Sequence, residues 1–121
     1  MIYLGSPYSH EDPKVVEERW NATVLATAKF LNWGNMIYSP IVHCHPLAIA
    51  HTLPTDAQFW NHYNFHMLSL ADELWVLMLN RWEDSKGLQS EIEWATLMGK
   101  KIEFISPTLI LMENNSETHR G

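Results

Sequence analysis

Apolar positions along this chain follow two rhythms, a strand-like run and a helical stripe, and the two alternate from the first residue onward. Met1-Ile2-Tyr3-Leu4 is short, apolar and rich in strand formers, and it stops at Gly5-Ser6-Pro7, which predicts a strand running into a tight loop. Asp12 then offers an N-cap with Pro13 at the first helical position, and Val16, Trp20, Val24 and Leu31 recur at helical spacing until Gly34 ends the helix. Met36 to Ser39 predicts a second strand, ended by Pro40. From Ile41 to Pro54 prolines and histidines crowd the chain, and this stretch reads as a loop holding one helical turn; so long a loop in a compact domain is more often functional than idle. Thr55 and Gln58 form a capping-box pattern for a helix running through Trp60, Tyr63 and Met67 to about Leu70. Glu73 to Leu79 is a near-continuous apolar strand of the kind buried on both faces of a parallel sheet. After a polar loop at Asn80 to Asp84, a helix is expected from Ser85 to Gly99, followed by a strand over Lys101 to Ile105.

This β-α-β-α-β-α-β alternation predicts the α/β class: a doubly wound parallel sheet of four or five strands with right-handed crossovers and strand order 2-1-3-4-5. Leu109 to Met112 fits either a fifth strand or a helical turn. At 121 residues the chain is expected to form one domain over residues 1–106, with 107–121 a polar, partly frayed extension.

Composition narrows the functions. Apolar residues make up 46%, which argues against disorder, and a net charge of −6 leaves no basic stripe for tracking a nucleic-acid polymer. The single cysteine, Cys44, excludes an internal disulfide and fits a reducing compartment. No apolar run approaches the roughly 20 residues that span a bilayer, and no secretory signal pattern opens the chain, so a cytoplasmic protein without membrane contact is expected. Six tryptophans suggest that some lie at a subunit interface.

The sharpest chemical signal is Glu91. Helical spacing puts it on one stripe with Leu88, Ile92, Ala95 and Met98, the face expected to meet the core. An unpaired buried carboxylate costs several kcal/mol, so such a group is kept for chemistry or for a specific partner. The plain alternatives are that it caps its own helix or pairs with Arg19 or Arg81. Glu93 falls on another face and is expected in solvent. The loop after the first strand offers Gly5 and Ser6, while Ser85, Lys86 and Gly87 supply donors and a helix N-terminus suited to an anion. Turns and caps would use the same residue types. Asp72, just before the third strand, reads on local grounds as a turn aspartate. His43, His45, His62 and His66 have spacings that metals use, yet no zinc-protease glutamate accompanies His62 and His66, and a substrate contact from His43 is the favoured reading.

Three segments in order resemble the nucleoside 2-deoxyribosyltransferase superfamily: Ile2-Tyr3-Leu4-Gly5-Ser6-Pro7, Ala71-Asp72-Glu73-Leu74, and Gly87-x-x-x-Glu91-x-x-x-Ala95-x-x-x-Gly99-Lys100. The likeness runs from residue 1 to about 106 and is greatest to an uncharacterised bacterial and viral branch sharing the opening Tyr-Leu-x-Ser-Pro-Tyr-Ser and a Ser-Pro-Ile-x-His-x-His-Pro segment. The resemblance implies a Rossmann-like domain, a homodimer or higher homo-oligomer, that needs no metal or organic cofactor and cleaves the N-glycosidic bond of a deoxynucleoside or a nucleoside 5′-monophosphate. It implies Glu91 as nucleophile, Tyr3 as its orienter and Asp72 as the helper at the base.

Departures from that pattern refine the expectation. The transferases carry an aspartate where this chain has Ser85, with Asp84 beside it, whereas the related monophosphate N-glycosidases have a serine there for the 5′-phosphate. With Lys86 adjacent, a nucleotide is favoured. The first-loop arginine of those hydrolases has no counterpart, since Tyr8 stands near its place, and Glu93 replaces a glycine common in the family. The competing expectations are a module that binds a nucleotide without cleaving it and a metal-dependent hydrolase built on His43, His45, His62 and His66.

Overall fold

A computed structural model describes residues 1–54, 57–108 and 110. Its elements in chain order are β1 (Ile2–Gly5), α1 (Pro13–Asn32), β2 (Ile37–Tyr38), α2 (Pro40–His51), α3 (Ala57–Leu70), β3 (Glu73–Leu77), a 3-10 turn (Trp82–Asp84), α4 (Lys86–Leu97) and β4 (Lys101–Ile105). The four strands pair in parallel in the order β2-β1-β3-β4. This is the Rossmann-like doubly wound arrangement that the alternation predicts.

Strand alternation sends neighbouring side chains to opposite faces, and the two faces carry separate cores. Tyr3, Leu74 and Val76 pack with Leu68 of α3 and with Leu88 and Ala95 of α4. Leu4 and Leu77 pack with Ala26 and Phe30 of α1, joined by Ile110. Among the described residues no helix is long and apolar enough to cross a membrane.

Several boundaries follow from local chemistry. Asp12 caps α1 by accepting from Lys14 N–H at 3.0 Å, and Gly34 and Gly99 take positive φ angles of 92° and 71° just beyond α1 and α4. Left-handed backbone is cheap only for glycine, so both helices stop there.

The stretch expected as a loop from Ile41 to Pro54 is instead mostly helix. Ser39 accepts from Val42 N–H at 3.1 Å and Pro40 occupies the first helical position, so Pro40, expected to end β2, instead starts α2. Pro46 sits inside that helix. The capping-box residue Thr55 lies outside the described residues, as do Leu109, Leu111 and Met112 of the undecided fifth element.

Candidate functional site

The carboxyl ends of β1, β2 and β3 open into one cavity of about 420 Å3. Ser6 and Tyr8 reach it from the loop after β1, Ile41, Cys44 and His45 from α2, Trp60, Asn61 and Asn64 from α3, and Ser85, Lys86, Gly87, Glu91 and Trp94 from α4 and its cap. Strand order puts the cavity beside the β1–β3 pair, where the chain switches direction across the sheet, the usual ligand crevice of open α/β sheets.

Glu91 lies on this wall and is only 7% exposed. The α4 stripe of Leu88, Glu91 and Ala95 is buried, as the helical spacing predicts. The Tyr3 phenol donates to Glu91 Oε2. Neither arginine is its partner: Arg19 Nη1 donates to Ser9 C=O at 2.9 Å, and Arg81 pairs with Asp84 at 2.8 Å. Burial therefore pushes the Glu91 carboxyl up to about 8, and the Tyr3 hydrogen bond offsets only part of that rise. Tyr3, itself buried and facing this acid, is held well above the ordinary phenol value.

Gly5 does not line the cavity but sets the spacing behind it. A Cβ there would stand 2.9 Å from Leu88 Cδ1 and 3.5 Å from Glu91 Oε1, so the absence of a side chain lets α4 close onto β1. Ser85 caps α4 by accepting from Leu88 N–H at 3.3 Å, and its neighbours Lys86 and Gly87 stand at the same helix end. Ser6 is buried and accepts from Thr23 Oγ1 at 3.3 Å. Ser6, Ser85, Lys86, Gly87 and Glu91 thus line one cavity, with Tyr3 and Gly5 behind Glu91.

Two expected residues stand outside this group. Asp72 sits at the amino end of β3, where its carboxylate pairs with the Met1 ammonium at 2.5 Å and its side chain is 82% exposed. The hydrogen bond and charge of that ammonium hold it below the usual carboxylate range. A residue immediately before a parallel strand lies at the end opposite the crevice, here about 16 Å away along five strand residues. Asp72 is therefore not brought to the cavity with Glu91 and Tyr3. His43 is exposed and stacks on Tyr63 with centroids 6.0 Å apart. His45 lines the cavity instead, because in a helix two positions apart point to nearly opposite sides.

The cavity also takes residues to which the sequence reading gave another role or none, from α2, α3 and the first loop. His45 is buried, with Nδ1 2.6 Å from the Tyr8 hydroxyl and Nε2 3.0 Å from Glu17 Oε1 of α1. Trp20 lies over its ring at 5.1 Å. Burial raises the Tyr8 phenol to about 12. Asn61 and Asn64, three apart on α3, line the cavity with Trp60 and Trp94, and Asn64 Oδ1 is buried without a hydrogen bond from the described residues. The i, i+3 spacing of the two asparagines was a legible signal. Cys44 is buried on the same wall, its thiol pushed up to about 11 mainly by desolvation.

Among the described residues no group of three or more His, Cys, Asp or Glu is placed to hold a metal ion. His62 and His66 are exposed on α3 and His45 is buried against α1, so the four histidines do not converge.

Fold and site together define a parallel α/β domain with a buried acid at the strand-end crevice. The chain belongs to the family described as a domain of unknown function, DUF1937, whose family model matches residues 1–106. No curated protein matches it.

Proposed function

We propose that this protein cleaves the N-glycosidic bond of a nucleoside 5′-monophosphate or deoxynucleoside, by hydrolysis or base transfer, with Glu91 as nucleophile. One observation carries the reading: a desolvated carboxyl, oriented by Tyr3, on the wall of a cavity of nucleotide size. Glycosidic cleavage builds positive charge at the anomeric carbon, which favours the ionised carboxylate in the transition state although burial disfavours it in the free site. Ser6, Ser85, Lys86 and the α4 N-terminus suit the sugar and a 5′-phosphate. Trp60 and Trp94 suit the faces of a base, and Asn61 and Asn64 its polar edge. The likeness to the nucleoside 2-deoxyribosyltransferase superfamily supports the same chemistry. A homo-oligomer belongs to this reading, supported by the large apolar side chains of Ile49, Phe59, Phe65 and Leu70, each exposed on α2 or α3.

Incubation with a panel of deoxynucleotides is expected to release free base, measured by chromatography. Glu91→Gln is expected to lower the rate by about a thousandfold or more. Unaltered release by that variant removes the mechanism.

The second reading is a module that holds a nucleotide without cleaving it, and the elevated Glu91 value favours it, because a neutral acid binds but does not attack. Calorimetry showing tight binding, with no base released over hours, selects that reading.

A further inference from the structure

With Asp72 at the opposite end of the sheet, the glycosidase reading lacks a proton source for the departing base. A connected set of titratable groups reaches the cavity: Tyr8 and His45 line it, the Tyr8 hydroxyl 2.6 Å from His45 Nδ1, and Glu17 of α1 stands behind them, its Oε1 3.0 Å from His45 Nε2. From these contacts we infer that Tyr8, His45 and Glu17 form a proton relay that first protonates the leaving base and then deprotonates the attacking water.

Both ring nitrogens of His45 are engaged, so its charge state dictates what Tyr8 offers the cavity. As an imidazolium, His45 donates to Glu17 from Nε2 and to the Tyr8 oxygen from Nδ1, which frees the phenol O–H to point at a ligand. As a neutral imidazole it keeps the Nε2 proton on the Glu17 side and accepts the Tyr8 O–H at Nδ1, which turns a phenol lone pair to the cavity. One arrangement is a donor and the other an acceptor, and a single proton converts them.

Glu17 supplies a carboxylate, and the Trp20 ring lies 5.1 Å from the imidazole, within reach of a cation–π contact. Arg19 Nη1 donates to the carbonyls of Tyr8 and Ser9 at 3.4 and 2.9 Å, which ties the first loop to α1 and fixes the phenol. The other titratable groups nearby are Cys44, next to His45 on α2, and Asp84, Lys86 and Glu91 on the far cavity wall. A half-buried phenol is a poor acid alone; it gives up its proton readily only when another refills it from behind.

Atoms balance across two steps. In the first, the Glu91 carboxylate bonds to the anomeric carbon, the C–N bond breaks with its electron pair going to the base, and the base takes the Tyr8 proton while Tyr8 takes the Nδ1 proton. His45 is left neutral. In the second, water bonds to the anomeric carbon, the Glu91 ester bond breaks with its pair returning to the carboxylate, and a water proton passes to Tyr8 as the Tyr8 proton passes to Nδ1. The imidazolium is restored, and the sum is glycoside plus water giving sugar plus protonated base.

This relay rests on the glycosidase reading, and the test separates the two. Tyr8→Phe is assayed beside the unaltered protein on a deoxynucleotide and on the matching 4-nitrophenyl glycoside, whose leaving group departs as a stable anion and needs no proton. The relay predicts a loss of 100-fold or more in kcat on the nucleotide for formation of the glycosyl intermediate, but a loss below 5-fold in the nitrophenolate burst. Glu17→Gln, which keeps the shape, is expected to lower kcat about 10-fold with KM within twofold. Equal losses on both substrates mark Tyr8 as merely structural and overturn the relay, as does a Tyr8→Phe rate within threefold on the nucleotide. An unaltered protein inert on both substrates overturns the glycosidase reading and the relay with it.

Discussion

Glu91 links the site to pH through its own ionisation. Its native value of about 8 lies above the ordinary glutamate value of 4.5, so the folded state holds the proton more tightly than the unfolded chain does. The contribution is complete below 4.5 and is lost as pH rises to about 8. At about 1.4 kcal/mol per pH unit of difference, the loss is on the order of 5 kcal/mol. Replacing Glu91 with Gln removes this dependence, so the variant is expected to gain on the parent by several kcal/mol at pH 9 and by little at pH 4, read from urea midpoints at each pH. Tyr3→Phe works in the other direction. Its phenol hydrogen bond lowers the Glu91 value, so removing it is expected to move the acidic limb of the kcat/KM profile to higher pH. An unmoved limb would mean that another group sets it.

Among the elements, α4 was the most legible and α2 the least. The stripe of Leu88, Glu91 and Ala95 repeats with helical period between a serine cap and a glycine stop, and every part of that pattern survives in the fold. In α2 the prolines and histidines masked the helix, because Pro40 is a breaker after a strand but a starter after a serine cap. That error had a functional cost: as a loop the segment offers His43, whereas as a helix it turns Ile41, Cys44, His45 and Ala48 to the cavity. The contacts of His45 with Glu17 and Tyr8 span 28 and 37 residues of sequence, and no local pattern reports them. Between elements, α4 fits tightly against β1 at Gly5. Gly5→Ala is expected to destabilise the protein by about 1–3 kcal/mol through overpacking of buried Leu88, measured by denaturant unfolding. A change below about 0.5 kcal/mol would show that α4 shifts outward freely.

At the scale of the whole molecule, the alternation of strands and helices was enough to give the parallel sheet and the crevice at its carboxyl edge. The same topology contained the answer on Asp72, because a residue before a strand and a residue after one lie at opposite edges. The resemblance carried a role onto Asp72, whose place in the sheet is the edge away from the crevice. The tryptophans show the converse: three of the six, Trp20, Trp60 and Trp94, stand at the cavity or beside its histidine rather than marking an interface by number alone.

Cys44 shares the cavity with Glu91, and sulfur is ordinarily the stronger nucleophile of the two. At about 11, its value leaves roughly one molecule in ten thousand as thiolate at pH 7, so the only sulfhydryl of the chain behaves as a small greasy surface. An electrophilic sugar formed in this chamber would meet a silent bystander there, and the carboxylate opposite would have no rival to capture it.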